Sequence, residues 1–198
     1  MNNFIFTIGH SNLDIDAFVS LLLANKIELL IDVRSAPYSK IYPHFNRNPL
    51  EVSLAKNSIK YIFLGDSLGG RSNNNSDYSE GRVVYGRLAQ KEEYISSVNE
   101  LISISAKFKT ILMCSEKEPL ECHRALLISK SIEMHNVKIF HIHRDGHIES
   151  QGEAIQRLLK IWKLDTPNLF GEDIERIDEA FAKQESKHAY FDENKIIS

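Results

Sequence analysis

The chain has 198 residues, and its 24 Lys and Arg against 27 Asp and Glu leave a formal net charge of −3. This balance counts against a protein that holds nucleic acid by bulk charge, although it leaves room for a local basic patch. Apolar residues make up 42% and charged residues 26%, which is typical of a globular domain and excludes the composition of a disordered chain. We predict an α/β domain over residues 1–150 and a C-terminal helical extension and tail over residues 151–198.

The N-terminus enters a strand-like segment at Phe4 without the basic start and cleavage site of a signal peptide. No apolar run approaches the roughly 20 residues that cross a bilayer. The two cysteines, Cys114 and Cys122, are fewer than a small disulfide-stapled secreted fold uses. We therefore expect a cytoplasmic protein that does not enter membranes. Neither a cofactor nor an oligomeric state is indicated.

Short apolar segments alternate with longer amphipathic ones, as in the β-α-β units of a parallel sheet. Helix starts are predicted at Asp14, which can cap the helix that follows, and at Pro49, which the first turn of a helix tolerates. The fold class is thus an open, mostly parallel, Rossmann-like sheet of about five strands with helices on both faces, plus the C-terminal helical extension. The strands are predicted at 4–8, 28–33, 60–64, 110–114 and 137–142, and the later helices at 91–108, 122–134, from 151 onwards and around 174–181.

Residues 69–86 interrupt this alternation with a glycine-rich and polar stretch. It contains Gly69-Gly70, an Asn-rich run at 72–77, Gly81 and Gly86. Long loops inside compact domains often act as lids or binding loops, but they also occur as tolerated surface insertions. Both interpretations of the Asn-rich loop remain open from the sequence.

Titratable side chains follow each predicted strand. The carboxyl ends of parallel strands lie at one edge of the sheet, where open α/β folds bind ligands, so we expect these side chains to converge on one cleft. They are His10 and Ser11 after the first strand, Asp32 and Arg34 after the second, Gly69, Gly70 and Arg71 after the third, Cys114 and Glu116 after the fourth, and His141 and His143 in the fifth.

The region of the two cysteines carries the strongest chemical signal. Cys114 ends a strand, and Cys122 opens a predicted helix whose N-terminal amides and dipole favour an anion. Both settings are expected to lower the pKa of a thiol, and the thiolate is the form that attacks substrates and binds metals. Arg124 suits a phosphate or a carboxylate. The alternative is that Cys122 is a small buried side chain and that Arg124 pairs with Glu116 or Glu118.

Several familiar sites are excluded by spacing. A phosphatase-type loop needs arginine six positions after its cysteine, where Leu120 follows Cys114. Thioredoxin-like pairs have two residues between their cysteines, whereas seven separate Cys114 from Cys122. The glycine-rich fingerprints of nucleotide-binding folds are also missing.

A metal centre is a further alternative. Cys114, Cys122 and His123 could bind zinc with a fourth histidine, but no recognised ligand spacing is present. We therefore predict no metal, with these three residues as the ligands if one binds. The candidate fourth ligands are His10, His141 and His143.

Motifs in a fixed order resemble one known family. They are Thr7-Ile8-Gly9-His10-Ser11-Asn12, Ile31-Asp32-Val33-Arg34-Ser35 with Pro37, Leu68-Gly69-Gly70-Arg71, and Met113-Cys114-Ser115-Glu116 leading to Cys122-His123-Arg124. Over about residues 3–150 the chain resembles the bacterial and archaeal family catalogued as domain of unknown function 488. The resemblance implies a compact α/β domain with a cysteine-containing active site, and it carries no established reaction. The matching positions are His10, Ser11, Asp32, Arg34, Gly69, Gly70, Arg71, Cys114, Glu116, Cys122, His123 and Arg124.

The leading hypothesis is a cysteine-dependent enzyme that acts on an anionic, phosphate-bearing substrate such as a nucleotide or a nucleic-acid end. Cys114 is its nucleophile or redox thiol and His10 the acid/base partner. The predicted catalytic residues are Cys114, His10, Glu116 and Asp32. The predicted substrate-binding residues are Ser11, Arg34, Gly69, Gly70, Arg71, His123 and Arg124.

Two other functions stay open. One is a nucleic-acid-binding module without turnover, in which basic and aromatic side chains contact the ligand. The other is a metal or redox centre built from Cys114, Cys122 and histidines. The residues of the binding module would be Arg34, Lys40, Tyr42, His44, Phe45, Arg47 and Arg71.

Overall fold

The computed structural model describes residues 4–166 and 173–196. The start of the predicted α/β domain (1–3) and parts of the predicted extension (167–172 and 197–198) lie outside these ranges. The strands are β1 (Phe4–Gly9), β2 (Leu29–Asp32), β3 (Lys60–Phe63), β4 (Tyr78–Ser79), β5 (Arg82–Val83), β6 (Thr110–Cys114), β7 (Lys138–Ile142) and β8 (Ile148–Ser150).

Helices cover both faces of the sheet, as predicted. They are α1 (Ile15–Ala24), α2 (Arg47–Ala55), α3 (Gly65–Leu68), α4 (Tyr85–Leu88), α5 (Glu92–Ser105), α6 (Lys130–Glu133), α7 (Gln151–Ile161) and α8 (Asp173–His188), and a π-helix spans Arg124–Ser129.

The main sheet is open and runs in the order β3-β2-β6-β1-β7-β8, with all neighbours parallel except β7 and β8. This confirms the predicted α/β fold and adds a sixth strand at the edge. Three residues are too few for a period-two pattern to be read from a sequence, which is why β8 was not predicted. Strand β6 lies between β2 and β1. Its last residue, Cys114, is therefore flanked by the ends of both neighbours, with Gly9 as its register partner.

Two apolar cores lie on opposite faces of the sheet. Because side chains alternate along a strand, Met113 and Cys114 belong to different cores. One core packs β-strand side chains against α1 and α2, and includes Ile8, Phe18, Leu30, Phe45, Leu50 and Met113. The other packs them against α5, the π-helix, α7 and α8, and includes Ile31, Val98, Leu112, Cys114, Leu126, Leu158 and Phe181.

Local signals account for several helix starts. Asp14 caps α1 as predicted, because its side chain accepts a hydrogen bond of 2.7 Å from the backbone N–H of Ala17. At α7 the side chains of Ser150 and Glu153 form a reciprocal capping box. Pro49 lies in the first turn of α2, where a backbone N–H would have no acceptor within the helix, so its absence in proline costs no hydrogen bond.

The continuous helix predicted over 122–134 is wrong in its first part. Cys122 has an extended backbone after a short 3-10 turn at Pro119–Glu121. The chain then forms the π-helix and continues as α6, so the helix begins at Arg124 rather than at Cys122. Ser129 Oγ donates a hydrogen bond of 2.7 Å to the Arg124 carbonyl within this wider turn.

The stretch at 69–86 is more ordered than the polar loop predicted from its composition. It holds a 3-10 turn at Asn75–Asp77, the β4–β5 hairpin and the start of α4. The Asn-rich part is tied down by an ion pair between Asp77 and Lys91 and by a hydrogen bond from Tyr78 Oη to the Ser72 carbonyl.

The predicted helix in the tail is α8, which packs against α7. Trp162 Nε1 donates a hydrogen bond of 2.9 Å to Gln184 Oε1 between the two. In the described ranges, no helix has both the length and the apolar character needed to cross a membrane.

Candidate active site at the carboxyl edge of the sheet

A polar pocket of about 300 Å³ opens beside the end of β6. Segments far apart in the sequence meet here, as expected for the carboxyl ends of parallel strands. The pocket is lined by Arg34, Ser35, Ala36 and Tyr38 after β2, by Gly70 and Arg71 after α3, by Tyr85 of α4, by Cys114, Ser115, Glu116, Glu121, Cys122 and His123 after β6, and by His188 and Tyr190 at the end of α8.

A second cavity of about 430 Å³ adjoins this pocket and shares Ser35, Ala36 and Arg71 with it. Asn73 and Asn74 of the Asn-rich loop line the second cavity. The Asn-rich loop thus lines the second cavity, whereas the two cysteines line the first.

Four side chains that can bind metals or act chemically meet on one side of the pocket. Candidate ligand atoms of Cys114, Glu116, Cys122 and His123 all lie within 4.8 Å of one another. Glu116 Oε2 is 2.7 Å from the Cys114 sulfur and 3.0 Å from the Cys122 sulfur. His123 Nδ1 is 3.7 Å and 3.8 Å from the same two sulfurs. We call these four residues the cysteine cluster.

The ring of His123 has a defined orientation. Its Nε2 lies 2.9 Å from the Val33 carbonyl oxygen, which can only accept, so Nε2 carries a hydrogen. Nδ1 therefore faces the two sulfurs. Gly70 permits this placement, because a Cβ atom there would lie 2.9 Å from Cβ and Cγ of His123.

The two thiols have different electrostatic surroundings. Burial raises the pKa of Cys114 well above its usual value, and the neighbouring Cys122 and Glu116 raise it further. The expectation of a lowered pKa is therefore wrong for Cys114. Burial also opposes ionisation of Cys122, but a hydrogen bond from Cys114 and the charges of Arg124 and His123 outweigh it and lower the pKa of Cys122.

Glu116 and His123 favour their charged forms. Burial opposes ionisation of Glu116, yet the charge of His123 and hydrogen bonds from both thiols lower its pKa to about 2. Burial likewise disfavours the charged ring of His123, but Cys122 and Glu116 raise its pKa. Glu116 is exposed as a residue and lines the pocket, while its Oε2 lies next to both sulfurs.

Arg124 is buried and holds the backbone of the loop that carries Glu116. Its side chain is only 1% exposed, and its Nη1 and Nη2 donate to the carbonyl oxygens of Glu116 and Lys117. Gly9 lets this loop come close, because a Cβ there would lie 1.7 Å from the Glu116 carbonyl oxygen. Arg124 does not line the pocket, so it is not placed to contact an anion there.

The side chain of His10 does not join Cys114. The backbone N–H of His10 donates to the Cys114 carbonyl at 2.9 Å, but the two side chains lie on opposite faces of the sheet. The His10 ring stacks on Phe45 with centroids 4.2 Å apart, and its Nε2 is 3.3 Å from Arg34 Nη1. Burial and the charge of Arg34 lower the pKa of His10 to about 4.

Asp32 and Arg34 form a buried ion pair. Both oxygens of Asp32 accept hydrogen bonds from the guanidinium of Arg34, at 2.9 Å and 2.7 Å, and one also accepts from Tyr61 Oη. Arg34 further donates to the Phe45 carbonyl. Arg34 lines the pocket, but its charge is balanced by Asp32, which does not line it.

The remaining predicted substrate-binding residues are placed differently. Arg71 is exposed at the pocket, with its guanidinium 4.3 Å from the centre of the Tyr190 ring. Gly69 lines the adjoining cavity, and a Cβ there would lie 2.4 Å from Ser35 Oγ. Ser11 lies outside the pocket lining and donates its backbone N–H to the Ser115 carbonyl.

The histidines considered as a fourth metal ligand are engaged elsewhere. His141 bonds to Thr7 and Gln151, and His143 pairs with Glu149. The structure places Glu116 where the sequence interpretation placed a histidine. Of the residues suggested for a nucleic-acid-binding surface, Phe45 is fully buried, which removes it from contact with a ligand.

Other pocket residues were not predicted. Ser35 follows Arg34 directly and Tyr38 lies four positions after it, so proximity to a predicted site residue could have identified them. His188 and Tyr190 come from the far end of the chain, and no sequence signal connects them to the cysteine cluster. The C-terminal extension therefore contributes part of the pocket wall.

Comparison with known proteins identifies the family of the chain. No curated protein matches the chain. The family model described as "Domain of unknown function DUF488" matches residues 14–130, which is more than half of the chain. The matched region includes Asp32, Arg34, Arg71 and the whole cysteine cluster. The chain belongs to the DUF488 family.

Proposed function

We propose that the protein is a cysteine-dependent enzyme that acts on a phosphate-bearing substrate, a nucleotide or a nucleic-acid end, in the pocket beside β6. One observation supports this most: Arg71, Cys114 and Cys122 line the same cavity. A cation that holds the substrate and a group of reactive side chains thus share one space.

Arg71 is the cation best placed to bind the substrate. Within the described part of the chain it forms no ion pair, whereas the charge of Arg34 is balanced by Asp32. Contact with the Tyr190 ring restrains the guanidinium without neutralising it. Free guanidinium groups bind phosphate oxygens in a bidentate fashion, which favours a phosphate-bearing substrate.

Aromatic side chains at the pocket support a nucleotide. Tyr38 is 62% exposed and lines the same pocket as Tyr190. Exposed aromatic rings stack on nucleobases, a contact worth about 1–3 kcal/mol for each base. Arg71 and these two rings would hold the phosphate and the base of one ligand.

The cysteine cluster supplies the reactive groups. Cys114 and Cys122 are each only 2% exposed, and both sulfurs face Glu116 and His123. In this proposal Cys114, Cys122, Glu116 and His123 perform the chemistry, while Asp32, Arg34, His10 and Arg124 hold the surrounding loops in position.

The test combines ligand binding with turnover. Nucleoside monophosphates and diphosphates and short single-stranded DNA and RNA are titrated into the wild-type protein, Arg71→Gln and Arg144→Gln. Arg144 is the matched control, because it is bonded to Asn12 and lines a different cavity. We expect at least one ligand to bind about 10-fold more weakly to Arg71→Gln, a loss of about 1.4 kcal/mol, and equally to Arg144→Gln.

The ligand that binds is then tested as a substrate. Cys114→Ser is expected to keep binding and to lose turnover. Equal binding by wild type and Arg71→Gln, or full turnover by Cys114→Ser, would show that the proposal is wrong.

A further inference from the structure

The cysteine cluster has the composition of a four-ligand metal site. Two sulfurs, one imidazole nitrogen and one carboxylate oxygen lie within 4.8 Å of one another. Zinc in proteins binds these ligand types, with four ligands arranged as a tetrahedron. The two sulfurs and the nitrogen are soft or borderline ligands, which favour zinc over magnesium or calcium.

The separations between the ligand atoms are close to those of such a tetrahedron. Bonds of about 2.0–2.3 Å give ligand-to-ligand distances of roughly 3.6 Å. His123 Nδ1 lies 3.7 Å and 3.8 Å from the two sulfurs, which matches this value. Glu116 Oε2 lies 2.7 Å and 3.0 Å from them, so it needs to move outward by less than about 1 Å to complete the tetrahedron.

When both thiols and the His123 ring are deprotonated, as metal binding requires, the cluster concentrates negative charge. Two thiolates and a carboxylate would together carry three negative charges within a few ångströms. The nearest buried cation, Arg124, directs Nη1 and Nη2 at the carbonyl oxygens of Glu116 and Lys117. A divalent cation at the centre would relieve this repulsion.

Neighbouring groups are arranged as partners of metal ligands commonly are. A histidine that binds zinc usually donates its other ring N–H to a carbonyl or a carboxylate, and His123 does so to Val33. The backbone N–H of Arg124 donates to the Cys122 sulfur at 3.4 Å. Both bonds favour a sulfur and a ring nitrogen that present lone pairs to the cluster centre.

We propose that Cys114 Sγ, Cys122 Sγ, His123 Nδ1 and Glu116 Oε2 bind one zinc ion. Zinc binding requires two thiolates and a neutral His123 ring, so it releases to solvent the protons that these groups still carry. All four residues line the pocket, but Glu116 is the exposed member of the set, whereas Cys114, Cys122 and His123 are buried. It is the ligand that a substrate oxygen or a water molecule can replace, which would turn a closed site into an open one.

This inference goes beyond the proposed function, because it does not depend on which substrate the pocket accepts. It gives the two thiols of the proposed enzyme a specific role, that of metal ligands. The competing role of the pair is a reversible disulfide, which would exclude zinc, because both sulfurs would be bonded to each other.

Zinc binding by the full chain, without a histidine tag, tests the site. The protein is stripped with a chelator under reducing conditions and reloaded with zinc chloride, and bound metal is measured by mass spectrometry. Zinc affinity is measured by competition with a chromophoric chelator. The variants are Cys114→Ser, Cys122→Ser and Glu116→Gln, and Glu121→Gln is the control, because Glu121 lines the same pocket outside the cluster.

We expect one zinc per chain in the wild type and in Glu121→Gln. Each serine variant should bind zinc at least about 100-fold more weakly, a greater loss than the 10- to 100-fold typical of an outer-shell partner. The zinc affinity of Glu116→Gln should lie between those of the serine variants and the wild type, because an amide oxygen is a weaker ligand than a carboxylate.

Thiol alkylation gives a second readout that needs no variant. Zinc should slow alkylation of both cysteines of the wild-type protein, and chelation should restore it. Less than one zinc per two chains after reloading, equal losses in Glu116→Gln and Glu121→Gln, or alkylation unaffected by zinc would overturn the inference. None of these readouts requires a substrate, so failure of the metal site and failure of the proposed function are distinguishable.

Discussion

The Nε2 atom of His123 lies 2.9 Å from the carbonyl oxygen of Val33, a residue 90 positions earlier in the chain. This bond joins the end of β2 to the loop after β6. It fixes which ring nitrogen faces the sulfurs of Cys114 and Cys122. The geometry of the cysteine cluster thus depends on the packing of two strands as well as on the cluster itself.

Substitution of Gly70 should disturb the cluster without removing a ligand. The Cβ of Gly70→Ala would lie 2.9 Å from Cβ and Cγ of His123, so the ring must shift. We expect zinc affinity to fall by about 10- to 100-fold, as for the loss of a partner that orients a ligand. The measurement is the same chelator competition.

Gly152→Ala is the matched control for this variant. Nothing lies within 4 Å of a Cβ at Gly152, which is in α7. This variant should bind zinc like the wild type and be more stable by about 0.5–1 kcal/mol, because alanine favours a helix. Wild-type affinity in Gly70→Ala would mean that the ring position does not control the site.

A methyl group at position 9 should displace the loop that carries Glu116. In Gly9→Ala the Cβ would lie 1.7 Å from the Glu116 carbonyl oxygen and 2.7 Å from Arg124 Nη1. The backbone must move to remove this steric clash. We therefore expect a loss of more than about 2 kcal/mol in the free energy of unfolding, measured with denaturant. Gly86→Ala, with nothing within 4 Å, should change it little. Similar unfolding curves for both variants would contradict the close packing of this loop.

The Asp32–Arg34 pair should act as one buried unit. Asp32→Asn leaves the buried guanidinium of Arg34 without its counter-charge, which typically costs roughly 3–5 kcal/mol. The double variant Asp32→Asn/Arg34→Gln should be less destabilised than the sum of the two single variants, because it also removes the uncompensated charge. Denaturant unfolding of all four proteins gives the coupling energy. Additive losses would mean that the pair is not coupled.

His141 should make the fold less stable in acid. Burial and the charge of Arg124 lower its pKa from 6.5 to about 4, although Gln151 and Glu149 act in the opposite direction and His143 adds to the lowering. Between these values the unfolded chain binds a proton that the folded protein does not. Stability therefore decreases as the pH falls from about 6.5 towards 4.

The comparison variant for this effect is His141→Gln, which keeps polar atoms between Thr7 and Gln151 but does not titrate. From pH 7 to pH 4 the wild type should lose on the order of 3 kcal/mol more unfolding free energy than the variant. Other titrating groups cancel in this difference. A constant difference across this range would show that His141 is not held neutral in the fold.

The sequence analysis identified the elements that depend on local signals. Asp14 caps α1, and β6 has the bounds predicted from its apolar run, because capping and burial on both faces leave direct traces in a sequence. The predicted strand bounds therefore placed Cys114 correctly at the carboxyl edge of the sheet, where β6 ends.

Side-chain partners that depend on register and long-range packing were not predictable. Cys114 ends β6 and pairs with Gly9 at the end of β1, so His10, one residue further along, has its side chain on the opposite face. The sequence therefore pointed to His10 as the partner of Cys114, whereas the histidine that lies beside the sulfur is His123, with Nδ1 at 3.7 Å. Tyr190 reaches the pocket through the packing of α8, which no local pattern specifies.

X-ray absorption at the zinc edge of the reloaded protein tests the central claim most directly. The account predicts two sulfur atoms at about 2.3 Å from zinc and two nitrogen or oxygen atoms at about 2.0–2.2 Å. A zinc shell without sulfur, or one that is unchanged in Cys122→Ser, would contradict it.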